Sequence, residues 1–107
     1  MENKILLSFA VPTYNRVPFL ERLLNNVLPQ AEKLKNEVEI CVSNNGSTDN
    51  TKEIVMKFKE EYPGLIIKYR ENAQNLGVDA NIIKVVDMCD GDFIWTFGDD
   101  DHIADNG

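Results

Sequence analysis

The chain is poor in the residues from which soft metal centres and redox motifs are made. It has two cysteines, Cys41 and Cys89, and one histidine, His102, in 107 residues. There is no C-x-x-C spacing and no histidine beside either cysteine, which excludes a readable zinc site or dithiol motif. Both cysteines fall in apolar segments and read as reduced core thiols of a cytoplasmic protein. Basic charge is also short: 11 Lys and Arg stand against 18 Asp and Glu, a formal charge of -7. Phosphate backbones require a basic face, so nucleic acid is excluded as partner, as is a polybasic membrane patch in this segment. Long apolar runs are missing. Ile5–Val11 is too short to span a bilayer, and it lacks the basic flank and small-residue cleavage site of a leader. Glycines are few, six in all. None forms G-x-G-x-x-G after the first apolar run, where Pro12-Thr13-Tyr14 stands, and no G-x-x-x-x-G-K-[ST] exists. A dinucleotide-binding dehydrogenase and a P-loop nucleotidase are thereby excluded.

What remains is an ordinary globular composition, 43% apolar and 27% charged, without repeats or low-complexity tracts. Residues 1–107 read as one domain with one modest core. Short apolar runs alternate with amphipathic stretches. Strands are predicted over Ile5–Val11, Val38–Ser43, Leu65–Tyr69 and Asp92–Phe97. Helices are predicted over Phe19–Leu28, from Asn50 as N-cap with Glu53 three residues on, and over Val78–Met88. Such alternation implies right-handed crossovers and a mostly parallel sheet, its apolar strands covered by helices on both faces.

Ligands of such sheets bind beyond the carboxyl ends of the strands, so the residues after each strand matter most. They are Pro12-Thr13-Tyr14-Asn15-Arg16, then Asn44-Asn45-Gly46-Ser47-Thr48-Asp49, then Glu71–Gly77, then Gly98-Asp99-Asp100-Asp101-His102. All four tips are polar, and together they read as one composite site. Tyr14 is placed to stack on a base and Asn44 to point its amide at a base edge. Arg16 can reach a phosphate, and Gly77 lets a diphosphate approach backbone amides at a helix entrance. Gly46 permits a tight turn, while Ser47, Thr48, Asp49 and Asn50 supply local hydrogen bonds and a helix cap.

Asp99, Asp100 and Asp101 are the sharpest feature. Adjacent carboxylates repel, and a bound cation relieves that repulsion. Oxygen-only ligation selects Mn²⁺ or Mg²⁺, ions that clamp a diphosphate and stabilise the charge on it as it leaves. The plainer alternative is a solvated acidic turn or a helix cap. His102 stands beside the cluster as a further ligand, an acid or a bystander.

Taken in order, PTYNR at Pro12–Arg16, NNGSTDNT at Asn44–Thr51, NLG with a later Asn at Asn75–Asn81, and IWTFGDDD at Ile94–Asp101 resemble the family 2 glycosyltransferases over nearly the whole chain. The resemblance implies a GT-A fold, an α/β Rossmann-like half whose mostly parallel sheet has flanking helices. It implies an enzyme taking a nucleotide-diphosphate sugar (UDP, CDP, dTDP or GDP sugar), a divalent metal, inversion at the anomeric carbon, and a glycan or lipid-linked acceptor. Pro12, Thr13 and Tyr14 would border the base. Asn44 and Asn45 stand where the family carries a base-reading Asp-Asp, and Asp99, Asp100 and Asp101 form the DXD-type motif that contacts ribose and metal. The wording Trp-Thr-Phe-Gly-Asp-Asp-Asp is similar to members serving bacterial surface polysaccharide assembly.

Two departures bear on chemistry. An amide at position 44 can accept from uracil or thymine N3–H, or donate to cytosine N3, where a carboxylate prefers the first. Gly98 stands where many members carry the first Asp, which leaves the metal register open by one residue. The resemblance places the catalytic base and the acceptor surface beyond Gly107, so the expectation is a truncated domain, weakly active or inactive alone. It is expected in the cytoplasm, peripheral to the inner membrane face through the missing part. The alternative is a non-catalytic nucleotide- or metal-binding module, and self-association through an uncovered sheet edge is a further expectation.

Overall fold

In a computed structural model, residues 5–34 and 37–96 are described. The first apolar run forms β1 (Leu7–Thr13), followed by α1 (Val17–Glu32), β2 (Val38–Asn44), α2 (Thr51–Glu61), β3 (Ile66–Glu71), α3 (Val78–Asp87) and β4 (Phe93–Thr96). The four strands lie in the order β3-β2-β1-β4, and all neighbours run parallel. The chain therefore steps outward twice from β1, then returns past it through α3. Such a reversal of winding opens a crevice beside the carboxyl end of β1.

Alternation along the strands sorts their side chains between two unequal layers. Phe9 and Val11 of β1, Val38, Ile40 and Val42 of β2, and Ile67 of β3 pack against Leu20, Leu23, Leu24, Val27 and Leu28 of α1 and against Val55 and Phe58 of α2. Each fully buried leucine here contributes roughly 1.5–3 kcal/mol. On the opposite face, among the described residues, Ala10, Cys41 and Val85 form the buried cluster, with Val86, Met88 and Cys89 packed against it. Both cysteines are free thiols, Cys41 buried and Cys89 partly so.

Several boundaries differ from expectation. β1 begins two residues later than Ile5 and runs through Pro12 to Thr13. Pro12 lies past Ala10, where the described register with β4 ends, and stands in register with Ser43 of β2. α1 is longer than Phe19–Leu28 at both ends and carries Pro29 within it. Asn50 is the N-cap of α2 but makes no side-chain cap bond. Asp49 does that work, its Oδ1 accepting from the Thr51 amide at 3.2 Å and from the Thr51 hydroxyl. β4 has the sequence of a covered strand, yet Phe93, Ile94 and Trp95 are 66%, 40% and 44% exposed. Two-sided covering holds for β2, whose residues are all buried, and not for this edge.

The thin α3 face is anchored by a carboxylate. Glu39 in β2 is fully buried. Its Oε2 accepts from the Ser8 hydroxyl of β1 at 2.6 Å and from the Asp90 amide at 2.5 Å. Lys68 of β3 places Nζ 2.7 Å from Glu39 Oε1 and 2.6 Å from Asp90 Oδ2. Gly91 follows closely, donating to Ser8 Oγ at 2.8 Å; a Cβ there would meet that oxygen at 2.6 Å. Burial pushes the Glu39 carboxyl up, but Lys68, Ser8 and the Asp90 amide outweigh it and hold the group below the usual carboxylate range.

A folded pKa below the unfolded one gives stability that is present above the unfolded value, about 4.3, and is lost as pH falls through the folded value. Lys68→Met leaves the buried charge without its cation and is expected to cost about 3 kcal/mol at neutral pH. The deficit should shrink below about pH 4, where Glu39 takes up a proton. Urea unfolding at both pH values checks this; equal deficits would show that Lys68 acts through packing alone.

Candidate functional site

The carboxyl ends of β1, β2 and β3 carry loops that are bound to one another. In the loop after β1, Asn15 adopts a left-handed φ of 49°, which asparagine tolerates. Its amide N–H donates to Ser47 Oγ at 2.8 Å, and its Oδ1 accepts from the Thr48 amide at 2.8 Å. The first loop is thus clipped to the second.

The second loop is bound to the third through Asn45. This side chain is 3% exposed. Its Nδ2 donates to Asn75 Oδ1 at 2.8 Å and to the Gly77 carbonyl at 3.3 Å, while its Oδ1 accepts from Asn72 Nδ2 at 2.8 Å and from the Leu76 amide at 2.9 Å. Asn45 therefore fills its amide's hydrogen-bonding capacity within the chain. Asn72 also donates to Asn81 Oδ1 at 3.2 Å, and Asn81 returns a bond to the Ser43 carbonyl at 3.0 Å. Ser43 Oγ donates to Asn81 Oδ1 at 2.7 Å and accepts from Arg70 at 2.8 Å. Gly46, at φ 77°, packs so tightly that a Cβ would lie 2.6 Å from the Gln74 carbonyl carbon. Only glycine fits between these two backbones.

Around this frame stand the residues singled out from the sequence. Thr13 is buried and Tyr14 is 41% exposed, on the rim beside the crevice. Pro12 is half-buried within β1. Arg16 is exposed at the start of α1, its guanidinium 5.3 Å from the centre of the Phe19 ring. Asn44 closes β2 at 5% exposure, Nδ2 donating to the Tyr69 hydroxyl at 2.9 Å and Oδ1 accepting from the Ser47 amide at 3.0 Å.

Two of the expected contacts have internal partners. The side-chain polar atoms of Asn45, expected as a nucleotide contact, are all engaged by the third loop. Gly77, expected to let a diphosphate approach backbone amides, donates its own amide to Asn75 Oδ1 at 2.8 Å. Its glycine requirement comes from φ 97° at the entrance to α3, where a Cβ would meet nothing within 4 Å. Asp99, Asp100, Asp101 and His102 lie outside the described residues. Ser43, Arg70 and Tyr69 were not singled out from the sequence. Their signal is weak, because a serine, an arginine and a tyrosine in strands read as filler until a partner strand is fixed.

Two other features are away from this end. An apolar hollow of about 350 Å³ lies at the opposite end of the sheet, lined by Leu7, Phe9, Ala31, Leu34, Val38 and Trp95. Glu39, Cys41 and Cys89 bring possible metal ligands within 4.8 Å of one another. That set does not suit Mn²⁺ or Mg²⁺: two donors are thiols pushed up by burial, and the carboxylate is taken by Ser8, Asp90 and Lys68.

A doubly wound parallel sheet with its polar loops gathered at one end defines an α/β nucleotide-binding fold. The glycosyl transferase family 2 sequence profile matches residues 8–106, and the chain belongs to that family. Over 100 residues it is 46% identical to the abequosyltransferase RfbV of Salmonella typhimurium, covering 94% of this chain and 29% of that protein. It is 29% identical over 102 residues to the uncharacterized glycosyltransferase MG025 of Mycoplasma genitalium, of which it covers 34%. Among solved structures, S. aureus TarS 1-349 in complex with UDP superposes with a TM-score of 0.79 at 29% identity, over 92% of this chain and 28% of that one. The mannosyltransferase PcManGT of Pyrobaculum calidifontis, in complex with GDP-Man and Mn²⁺, superposes with a TM-score of 0.82 over 91% of this chain and 28% of that one. The fold is that of GT-A glycosyltransferases. The chain spans about 29% of RfbV's length.

Asn45→Ala strips partners from the buried Asn72 amide and the Leu76 N–H together. A loss of about 2–3 kcal/mol is expected in urea unfolding, with faster amide exchange at Leu76 and Gly77. Unaltered exchange there would mean that the third loop is held without Asn45.

Proposed function

We propose that this chain is the donor-binding part of a glycosyltransferase that moves a sugar from a nucleotide diphosphate to a hydroxyl of a glycan or lipid-linked acceptor. The single observation that carries the reading is the binding of three strand-end loops into one frame beside the crevice, with Tyr14 and Asn44 on it. Family membership and the likeness to TarS, solved with UDP, support a nucleotide donor. The likeness to an abequosyltransferase supports sugar transfer in bacterial surface polysaccharide synthesis.

In this reading Tyr14, 41% exposed just beyond β1, stacks on the nucleobase. Thr13 and Pro12 shape the floor, and Asn44 reads the base edge. Arg16 stands at the entrance to α1, within reach of a diphosphate. The carboxylates of Asp99, Asp100 and Asp101 would hold Mn²⁺ or Mg²⁺, an oxygen donor set that suits either ion. Such an ion, when bound, neutralises charge developing on the leaving diphosphate. Inversion at the anomeric carbon requires a carboxylate base to take the acceptor proton. We assign that base to the portion of the longer relatives that this chain does not cover.

Thermal unfolding with UDP, CDP, GDP or dTDP plus Mn²⁺, each repeated with EDTA, tests the donor site. Ligand at about a hundred times its dissociation constant should add about 2.7 kcal/mol. One nucleotide is expected to raise the midpoint, and the rise should vanish with EDTA and in Asp99→Ala/Asp101→Ala. A well-folded sample that none of the four nucleotides stabilises would overturn the reading.

A further inference from the structure

At the end of β2, three side chains form a one-way chain of hydrogen bonds. The Tyr69 hydroxyl donates to Glu71 Oε1 at 2.7 Å, and its oxygen accepts from Asn44 Nδ2 at 2.9 Å. Asn44 Oδ1 in turn accepts from the Ser47 amide at 3.0 Å. Both ends fix the direction. An ionised carboxylate only accepts, so Tyr69 must aim its single proton at Glu71. A backbone N–H only donates, so Ser47 draws the carbonyl end of the Asn44 amide toward itself while Tyr69, with no proton left to give, draws the NH₂ end. Turning the amide over would set its NH₂ against the Ser47 N–H and its oxygen against a hydroxyl with no proton left to give. Burial, with the Glu71 carboxylate, pushes the Tyr69 phenol up to about 12 against the pull of the Asn44 bond, so the hydroxyl keeps its proton at neutral pH.

We propose that Tyr69 and Glu71 are positioning residues for base selection, locking the Asn44 amide so that it shows the donor base a fixed donor–acceptor order. The inference rests on the donor-binding reading above. An asparagine amide has two N–H groups and two lone pairs on its oxygen; one of each is used, and one of each remains. Uracil presents N3–H between two carbonyl oxygens, whereas cytosine presents N3 as an acceptor beside its amino donor. With the base held so that the amide faces ring atoms 3 and 4, a locked amide matches one of these orders, and an amide able to turn over matches both. A carboxylate at this position would have no order to lock. Asn44 is only 5% exposed, so a mismatched base cannot be rescued readily by water.

The test is the ratio of dissociation constants for CDP and UDP, measured by calorimetry with Mn²⁺ present and with inorganic pyrophosphate as a base-free probe. The unaltered chain is expected to separate the two by about tenfold or more, the effect of one mismatched buried hydrogen bond. Tyr69→Phe and Glu71→Ala each remove the hold at one end of the amide and leave the Ser47 N–H at the other, so each should lower the ratio by about threefold while pyrophosphate binding stays unchanged. Glu71→Gln should keep the original ratio, because its amide oxygen still accepts from Tyr69. Equal affinity for CDP and UDP in the unaltered chain would overturn the inference, as would an unchanged ratio in Tyr69→Phe. A parallel fall in all three affinities with the ratio intact would also overturn it, marking a merely structural role. Failure to bind any of UDP, CDP, GDP and dTDP would remove the donor-binding reading itself, and this inference with it.

Discussion

A carboxylate in the middle of an α/β sheet is the constraint around which this fold is arranged. Glu39 has no route to water, so its charge needs a cation and hydrogen-bond donors brought to it. They come from Ser8 in β1, Lys68 in β3 and the amide of Asp90, in the turn that leads into β4. One side chain of β2 thereby addresses the other three strands. The face it occupies has little else to hold it, since Ala10, Cys41 and Val85 form a small apolar cluster beside the extensive one beneath α1 and α2. The anchor sits on the α3 face of β2, and the carboxyl-terminal loops build on the frame it steadies.

Those loops follow a different logic, built almost wholly from neutral amides and hydroxyls. Asn15 joins the first loop to the second, and Asn45 with Gly46 joins the second to the third. Neutral groups fix the geometry of the loops without adding charge to them. The arrangement also separates tasks within one short segment. Asn44 retains an N–H and a lone pair beyond its internal bonds, whereas its neighbour Asn45 retains neither.

Much of this was legible from the sequence, for identifiable reasons. Leu20, Leu23, Leu24, Val27 and Leu28 repeat with helical spacing, and the buried face of α1 is the one they mark. The run Val38–Ser43 marked β2, and the loop tips marked the end of the sheet where the polar loops after β1, β2 and β3 gather. Other features were hidden because their meaning depends on distant partners. Glu39 in the run VEICVS reads as an outward charge until Lys68 and Ser8 are placed beside it. Nothing in the sequence ties Asn45, Asn72 and Asn81 to one another; their burial and mutual bonding arise from the parallel register of β2 and β3 and the packing of α3. Asn50 is the N-cap residue of α2 as expected, but the side-chain bond at that end comes from its neighbour Asp49, whose carboxylate reaches the Thr51 amide. The exposed aromatics of β4 could not be foreseen, because an apolar strand has the same sequence whether or not anything covers it.

The contact at Gly46 has an evolutionary consequence. A backbone that lies against another backbone leaves no side chain to absorb a change, so a substitution in one loop is felt at once by the other. Segments 44–48 and 72–77 should therefore drift as a linked pair across descendants of this sequence. A replacement accepted in one would be harmful until its counterpart arrived, and exchange of a single loop between relatives would fail where exchange of both succeeds. Change in these loops is then reached by coordinated rather than single steps, along a narrower set of paths than their polar, variable-looking sequence suggests.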